Sequence, residues 1–268
     1  MVPVLSIVFI AINMICGCLL PIGLLLLLSI KYKAKVSSFF IGAGTMLLFA
    51  LILEQLLHMA VLGSPMGETI NNSIWLYGIY GGLAAGIFEE TGRFLAMKFA
   101  MKQCHGQKQN AIMYGAGHGG FEMFALVGIG YINNLLYAVM INAGMIETMM
   151  APLDDATKEI LKQAIDTIIT TPPAMFSVAL IERLAALTAQ IGLSIIVWKA
   201  VTRKGKVYLY PVAVLLHMLM DAVSAIIIKK ANVAAAEIFI CLFAVVIVLI
   251  GIKIYKNLDD TVENAENA

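Results

Sequence analysis

Charge is what this chain has least of. Of its 268 residues only 13% are Asp, Glu, Lys or Arg, about half the share usual in a soluble domain, and the formal net charge is +1. A balance that small, without a basic stripe, excludes a nucleic-acid partner. Cysteine is equally sparse: Cys16, Cys18 and Cys241 lie in apolar runs and Cys104 in a loop, so no disulfide framework is implied. Cys16-Gly17-Cys18 reads as small packing residues rather than a soft-metal site. No His-Glu-x-x-His motif occurs, which removes the commonest zinc-protease signature. No Lys or Arg precedes the first apolar run, so it lacks the basic flank of a secretory signal peptide and is expected to stay as a span. No internal repeat or second domain is visible, and residues 1–268 are expected to form a single transmembrane domain.

What is present is apolar sequence: 61% of residues are hydrophobic and the mean hydropathy is +0.91. Runs long enough to cross ~30 Å of hydrocarbon at about 1.5 Å per residue appear near 4–30, 37–61, 74–101, 110–130, 173–198, 207–228 and 232–252. An all-α protein of seven or eight membrane helices follows. The apolar stretch 131–150, broken by Asn133, Asn134 and Asn142, either extends the fourth span, re-enters the membrane or makes an eighth span. Basic residues fall on alternate connections. Lys31, Lys33, Lys35, Lys98, Lys102, Lys108, Lys199, Arg203, Lys204, Lys206, Lys253 and Lys256 share one side, against Lys158, Lys162, Lys229 and Lys230 on the other. The positive-inside rule then puts the N-terminus outside and the C-terminus in the cytoplasm. Residues 154–170, after an Asp cap and before Pro172-Pro173, carry Ile160, Leu161, Ala164, Ile165, Ile168 and Ile169 at helical spacing. They predict an amphipathic helix on the outer surface or over the bundle. The acidic tail from Asp259 reads as a solvated terminus.

Against this background three polar clusters stand out. They are Glu89 and Glu90 with Arg93, His118 with Glu122, and His217 with Asp221. Ionisable groups inside spans are costly unless they pair or face a polar cavity. Counted from the basic ends of their spans, all three lie roughly 12–15 Å deep at a rise of 1.5 Å per residue. One level on three helices predicts one shared site, opening toward the cytoplasm. His118 and Glu122, and His217 and Asp221, are four apart and share helix faces. Arg93 is three residues from Glu90 and four from Glu89, so it neutralises one acid and leaves the other for chemistry. Gly115, Gly117, Gly119 and Gly120 around His118, and Gly81, Gly82 and Gly86 before Glu89, predict close helix approach. Glu54 with His58 counts out near the outer end, away from this level, as a structural pair. Glu182-Arg183 reads as a pairing across helices or an outer gate.

Glu-Glu-x-x-Arg at 89–93, Tyr114-x-x-x-His118 running on to Glu122, and His217-x-x-x-Asp221 follow one another on separate spans. They resemble the motifs of the intramembrane protease superfamily that contains type II CAAX prenyl proteases, bacteriocin-processing relatives and the PrsW group. Within it, the Glu-Glu-x-x-Arg and His-Gly-Gly-Phe-Glu wording is most similar to the bacterial YhfC family of intramembrane metalloproteases, over about 75–224. The resemblance implies a plasma-membrane peptidase in which Glu89 activates water, His118 assists it or binds metal, and His217 with Asp221 stabilises the oxyanion or completes the site. CAAX enzymes usually have one more residue between the acids and the Arg, so the choice between Glu89 and Glu90 as base stays open. They also commonly carry Asn at the place of Asp221, and Asp adds a hard-metal ligand.

Amide hydrolysis needs a water activator, a proton donor for the leaving amine and oxyanion donors, which Glu89, Glu90, His118 and His217 supply. A divalent metal, zinc first, held by His118, Glu122, His217 and Asp221 would do the same work; metal-free, glutamate-dependent hydrolysis is the alternative. The expected partners are the bilayer and a membrane-embedded or lipid-anchored peptide. Rival classes are a proton- or cation-coupled transporter or channel, and a non-catalytic scaffold or immunity protein on the same fold.

Overall fold

The computed structural model describes residues 1–259, so all of the acidic tail except Asp259 lies outside the described residues. Helices make up nearly all of them, and no strand occurs among the described residues. The chain runs through α1 (Val4–Ile30), α2 (Val36–Leu62), the short α3 (Pro65–Asn72), α4 (Ile74–Leu95), α5 (Gln109–Asn142), α6 (Asp155–Thr170), α7 (Pro173–Thr202), α8 (Leu209–Lys230) and α9 (Val233–Lys256). Six of these, α1, α2, α5, α7, α8 and α9, are long and apolar enough to cross a membrane. The seventh expected span, α4, is equally continuous and runs on through a π-helical turn at Ala96–Ala100, but its apolar run is interrupted by Glu89, Glu90 and Arg93.

Local signals explain where these helices start and stop. Ser73 caps α4 by accepting from Leu76 N, and Asn232 caps α9 by accepting from Ala235 N at 2.9 Å. Asp154 caps α6 twice, from Thr157 N at 2.8 Å and Thr157 Oγ1 at 2.9 Å, and these bonds hold its carboxyl below the usual range. Between α7 and α8 the turn passes through Gly205 at φ +70°, a backbone conformation that side chains disfavour. The three asparagines do not break α5, which continues through Asn133 and Asn134 and stops at Asn142. The stretch 131–150 is therefore an extension of the fourth span followed by a short helical turn, Ile146–Met150.

The chain divides into two compact units. The smaller comprises Met1–Leu20 and Met123–Arg183. In it Val2, Ile10, Ala138, Ile168 and Phe176 form an apolar core, so α6 buries its Leu161–Ile165–Ile168 stripe and leaves Ile160 outward. Asn13 and Asn142 are its clamps: Asn13 donates to Phe9 O at 2.7 Å and Phe176 O at 2.9 Å, while Asn142 exchanges two hydrogen bonds with the Val2 backbone. Gly17 meets the Gly128 backbone so closely that a Cβ would lie 2.5 Å from Gly128 N, which is why Cys16 and Cys18 flank a glycine. Glu182 and Arg183 pair with one another, the ion pair lying along a single helix.

The larger unit comprises Pro21–Glu122 and the described residues from Leu184 onward. Trp198, Leu193 and Ile196 of α7 pack with Met97, Met101, Tyr114 and Ile247 in its core. Two glycine seams draw its helices together. Gly78, Gly82 and Gly86 of α4 lie one turn apart against α8, where a Cβ on Gly82 would stand 2.5 Å from Met218 O and one on Gly86 2.8 Å from Val214 O. On α5, a Cβ at Gly117 would strike Phe39 O of α2, while one at Gly115 would lie 2.7 Å from Ile191 Cα of α7. Gly81 faces open space and takes no part.

Candidate active site

The seams decide which side chains can meet. With α4 and α8 in backbone contact, the acids of one reach the histidine of the other. His217 Nδ1 donates to Glu90 Oε1 at 2.8 Å, and His217 Nε2 lies 3.8 Å from Glu89 Oε2 and 3.5 Å from Asp221 Oδ2. From α5, itself held between α2 and α7, His118 Nε2 donates to the same Glu89 Oε2 at 3.0 Å. The two imidazoles therefore converge on one carboxylate oxygen. His118 also stacks on Tyr114, one turn earlier, with ring centroids 6.0 Å apart.

The acids differ in their surroundings. Glu90 is fully buried and shares Oε1 between His217 and Arg93, whose Nη2 is 3.4 Å away. Glu89 keeps 7% of its surface exposed, and its contacts are His118, His217 and a residue from α7, Gln190. Gln190 Nε2 donates to Glu89 Oε2 at 2.9 Å and to Glu122 Oε2 at 3.3 Å. Its backbone and side-chain oxygens accept from Arg93 Nη1 and Nη2. Glu122 thus joins the cluster through Gln190. Asp221, its side chain 38% exposed, marks the open side.

All seven residues singled out by spacing, Glu89, Glu90, Arg93, His118, Glu122, His217 and Asp221, are brought into this one cluster. Two members escaped that reading. Gln190 carries no charge and sits in an apolar run, where spacing gives it no signal. Glu54 counts out near the far end of its span, yet it lies buried within electrostatic reach of Glu89, His217, Asp221 and Glu122. Glu54 Oε1 meets His58 Nε2 at 3.2 Å, and His58 Nδ1 meets the Tyr80 hydroxyl at 2.9 Å, which makes a polar chain running away from the cluster.

The donor set suits a divalent metal in its chemistry, with two imidazole nitrogens and carboxylate oxygens gathered at 3.0–3.8 Å from one another. Bonds of ~2.0–2.2 Å to a tetrahedral ion put ligand atoms about that far apart. Glu90 on the far nitrogen of His217 is the carboxylate support that metal-ligating histidines usually have. Among the described residues, however, no three such side chains already surround a common point, and His118 and Glu89 are joined to each other by a hydrogen bond.

A helical membrane protein with two histidines and an acid pair buried on separate helices is the class that fold and site define. The chain belongs to the YhfC family: the family model described as YhfC intramembrane metalloprotease matches residues 16–241. The uncharacterized membrane protein YhfC of Bacillus subtilis (strain 168) is 38% identical over 244 residues, which cover 89% of this chain and 92% of the relative. No solved structure matches.

Proposed function

We propose that the chain is an intramembrane peptidase that cuts a membrane-embedded or lipid-anchored peptide near the cytoplasmic leaflet of a bacterial plasma membrane. One observation carries this most: a single carboxylate oxygen, Glu89 Oε2, lies at the meeting point of His118 and His217, with the rest of the Glu89 side chain retaining exposure. In this mechanism Glu89 takes a proton from a water molecule as its oxygen attacks the scissile carbonyl, and then passes that proton to the leaving amine. His118 turns an N–H toward the oxygen on which negative charge develops, and His217, its Nδ1–H held by Glu90, does so through Nε2 when the ring carries both protons. Asp221 sets the tilt of His217 from its own helix. Arg93 compensates Glu90 and keeps it as a support.

The family description and the donor chemistry support a bound divalent ion, zinc by ligand type, held by His118 and His217 with Asp221 or Glu122. An ion held there would supply Lewis-acid chemistry to the carbonyl and lower the pKa of the attacking water. Metal-free hydrolysis would use the same Glu89. Comparison of membrane peptidomes from cells carrying wild type or Glu89→Gln, with metal analysis of the purified protein, tests the proposal. Peptides that accumulate only with wild type support it, and identical peptidomes overturn it.

The Glu54–His58–Tyr80 chain favours a second reading, proton-coupled transport. Proton uptake into vesicles holding the purified protein, abolished by His58→Phe, would select that reading.

A further inference from the structure

Gln190 is a buried polar residue in contact with both Glu89 and Arg93 that the mechanism above leaves without a task. It is 2% exposed and stands between the cation and the acids. Both ends of its amide are used: the oxygen accepts from Arg93, while the nitrogen donates to Glu89 at 2.9 Å and to Glu122 at 3.3 Å. The reversed amide would set N–H groups against the guanidinium and an oxygen against two carboxylates, so its surroundings fix its orientation.

Helical spacing alone lets Arg93 reach either acid. In the structure two of its N–H groups go to Gln190, and its ion pair goes to Glu90 at 3.4 Å. Where Glu89 would otherwise meet a guanidinium, it meets a neutral amide. A guanidinium–carboxylate pair is bidentate and about twice as strong as a neutral hydrogen bond. With Arg93 in that place, Glu89 would be tied down and turned from His118 and His217.

We propose that Gln190 is the positioning residue that divides the work of the two acids, holding Arg93 against Glu90 and keeping Glu89 clear of the cation and facing the histidines. Its catalytic meaning rests on the peptidase reading, but its structural content does not. Nothing in a sequence would mark it, because an uncharged amide in a span also serves as ordinary interhelical glue.

The test is a swap. Q190E keeps an acceptor for Arg93 but sets a carboxylate beside Glu89, so thermal stability of the purified full-length protein in lipid nanodiscs is expected to fall by several degrees. Adding E89Q re-forms the amide–carboxylate bond with its direction reversed, and most of that loss is expected to return. An equal cost of Q190E in both backgrounds overturns the proposal. If Q190E fails to assemble, E89Q and Q190M replace it: the two should be non-additive, and strict additivity overturns the proposal equally. In the peptide-cleavage assay Q190E is expected to lose kcat on the order of a hundredfold with KM little changed, since a small misplacement of a reacting group costs that much. The stable double variant should stay inactive. Full cleavage by the double variant overturns the division of roles, whereas stability coupling in a wild-type protein that cleaves nothing overturns the peptidase reading and leaves the placement of Gln190 standing.

Discussion

Glu90 fixes His217 from behind, its Oε1 2.8 Å from Nδ1, so that the opposite nitrogen of the ring faces Glu89 and Asp221. A neutral imidazole bonded in this way at Nδ1 presents Nε2 as its other functional face, which is how a carboxylate selects a histidine tautomer. Neighbouring acids in the sequence thus play different parts, one setting up the histidine and the other sharing its front.

Substitution of the front acid gives the first prediction. Glu89→Gln preserves shape and a hydrogen bond to Gln190 but cannot accept a proton. The protein should insert and fold, with hydrolysis reduced by about 10²–10⁴, the usual worth of a positioned base. Size-exclusion behaviour and peptide cleavage read the two halves separately, and full activity in this variant would remove Glu89 as the base.

Arg93→Ala should behave in the opposite way. It strands Glu90, which is fully buried, and empties the space beside Gln190. Removing one partner of a buried pair costs ~3–5 kcal/mol, so low expression or a clearly lowered melting temperature is expected. Arg93→Lys should recover little of it, because a point charge cannot reproduce the fork that bonds Gln190 twice. Normal stability of either variant would show that the guanidinium is not the structural partner.

The glycine seam supplies an internal control. A methyl group at Gly82 would lie 2.5 Å from Met218 O, against backbone that cannot swing aside, whereas Gly81 next to it faces open space. Gly82→Ala is expected to destabilise by ~1–3 kcal/mol, as overpacking does, and to weaken the Glu90–His217 contact. Gly81→Ala should be neutral or slightly stabilising in a thermal melt. Equal behaviour of the two would refute the close approach of α4 and α8.

Metal dependence is read directly. Extended dialysis against a chelator is expected to abolish cleavage, and zinc to restore it; His118→Ala and His217→Ala should each lower bound metal measured by plasma emission. Undiminished cleavage after complete metal removal would leave the glutamate-only mechanism.

The orientation inferred from basic residues calls for cysteine labelling in a background lacking the four native cysteines. Met66 and Lys206 are suitable positions, since Gly205 occupies a backbone conformation that a cysteine would strain. An impermeant maleimide should reach them from opposite sides of the membrane, and labelling from one side would overturn the alternation.

The helical architecture was legible from apolar run length, and the helix stop at Pro172-Pro173 and the start at Asp154 from cap chemistry. The cluster was legible because charge in a span is conspicuous: Glu89, Glu90, Arg93, His118, Glu122, His217 and Asp221 all announced themselves by cost. Gln190 did not, because an amide in an apolar run carries no such penalty signal. Glu54 was visible as the partner of His58, and the pair is formed, but a residue count along one span gave no sign that its charge also acts on the cluster. The asparagines of 131–142 left three readings open, of which extension of the fourth span is the one realised; all lie within α5, one of them clamping the chain's first residues.

Because α4 and α8 approach backbone to backbone at Gly82 and Gly86, with only the Ile226 side chain let in at Gly78, little lies between them that could slide or part. They act as a fixed jamb beside a door. If the chain cleaves peptides as proposed, a substrate segment diffusing in from the bilayer would not pass between them to reach Glu89. The proposed substrate would then use a different wall, and a covalent staple joining α4 to α8 near Gly82 is expected to leave cleavage as fast as before.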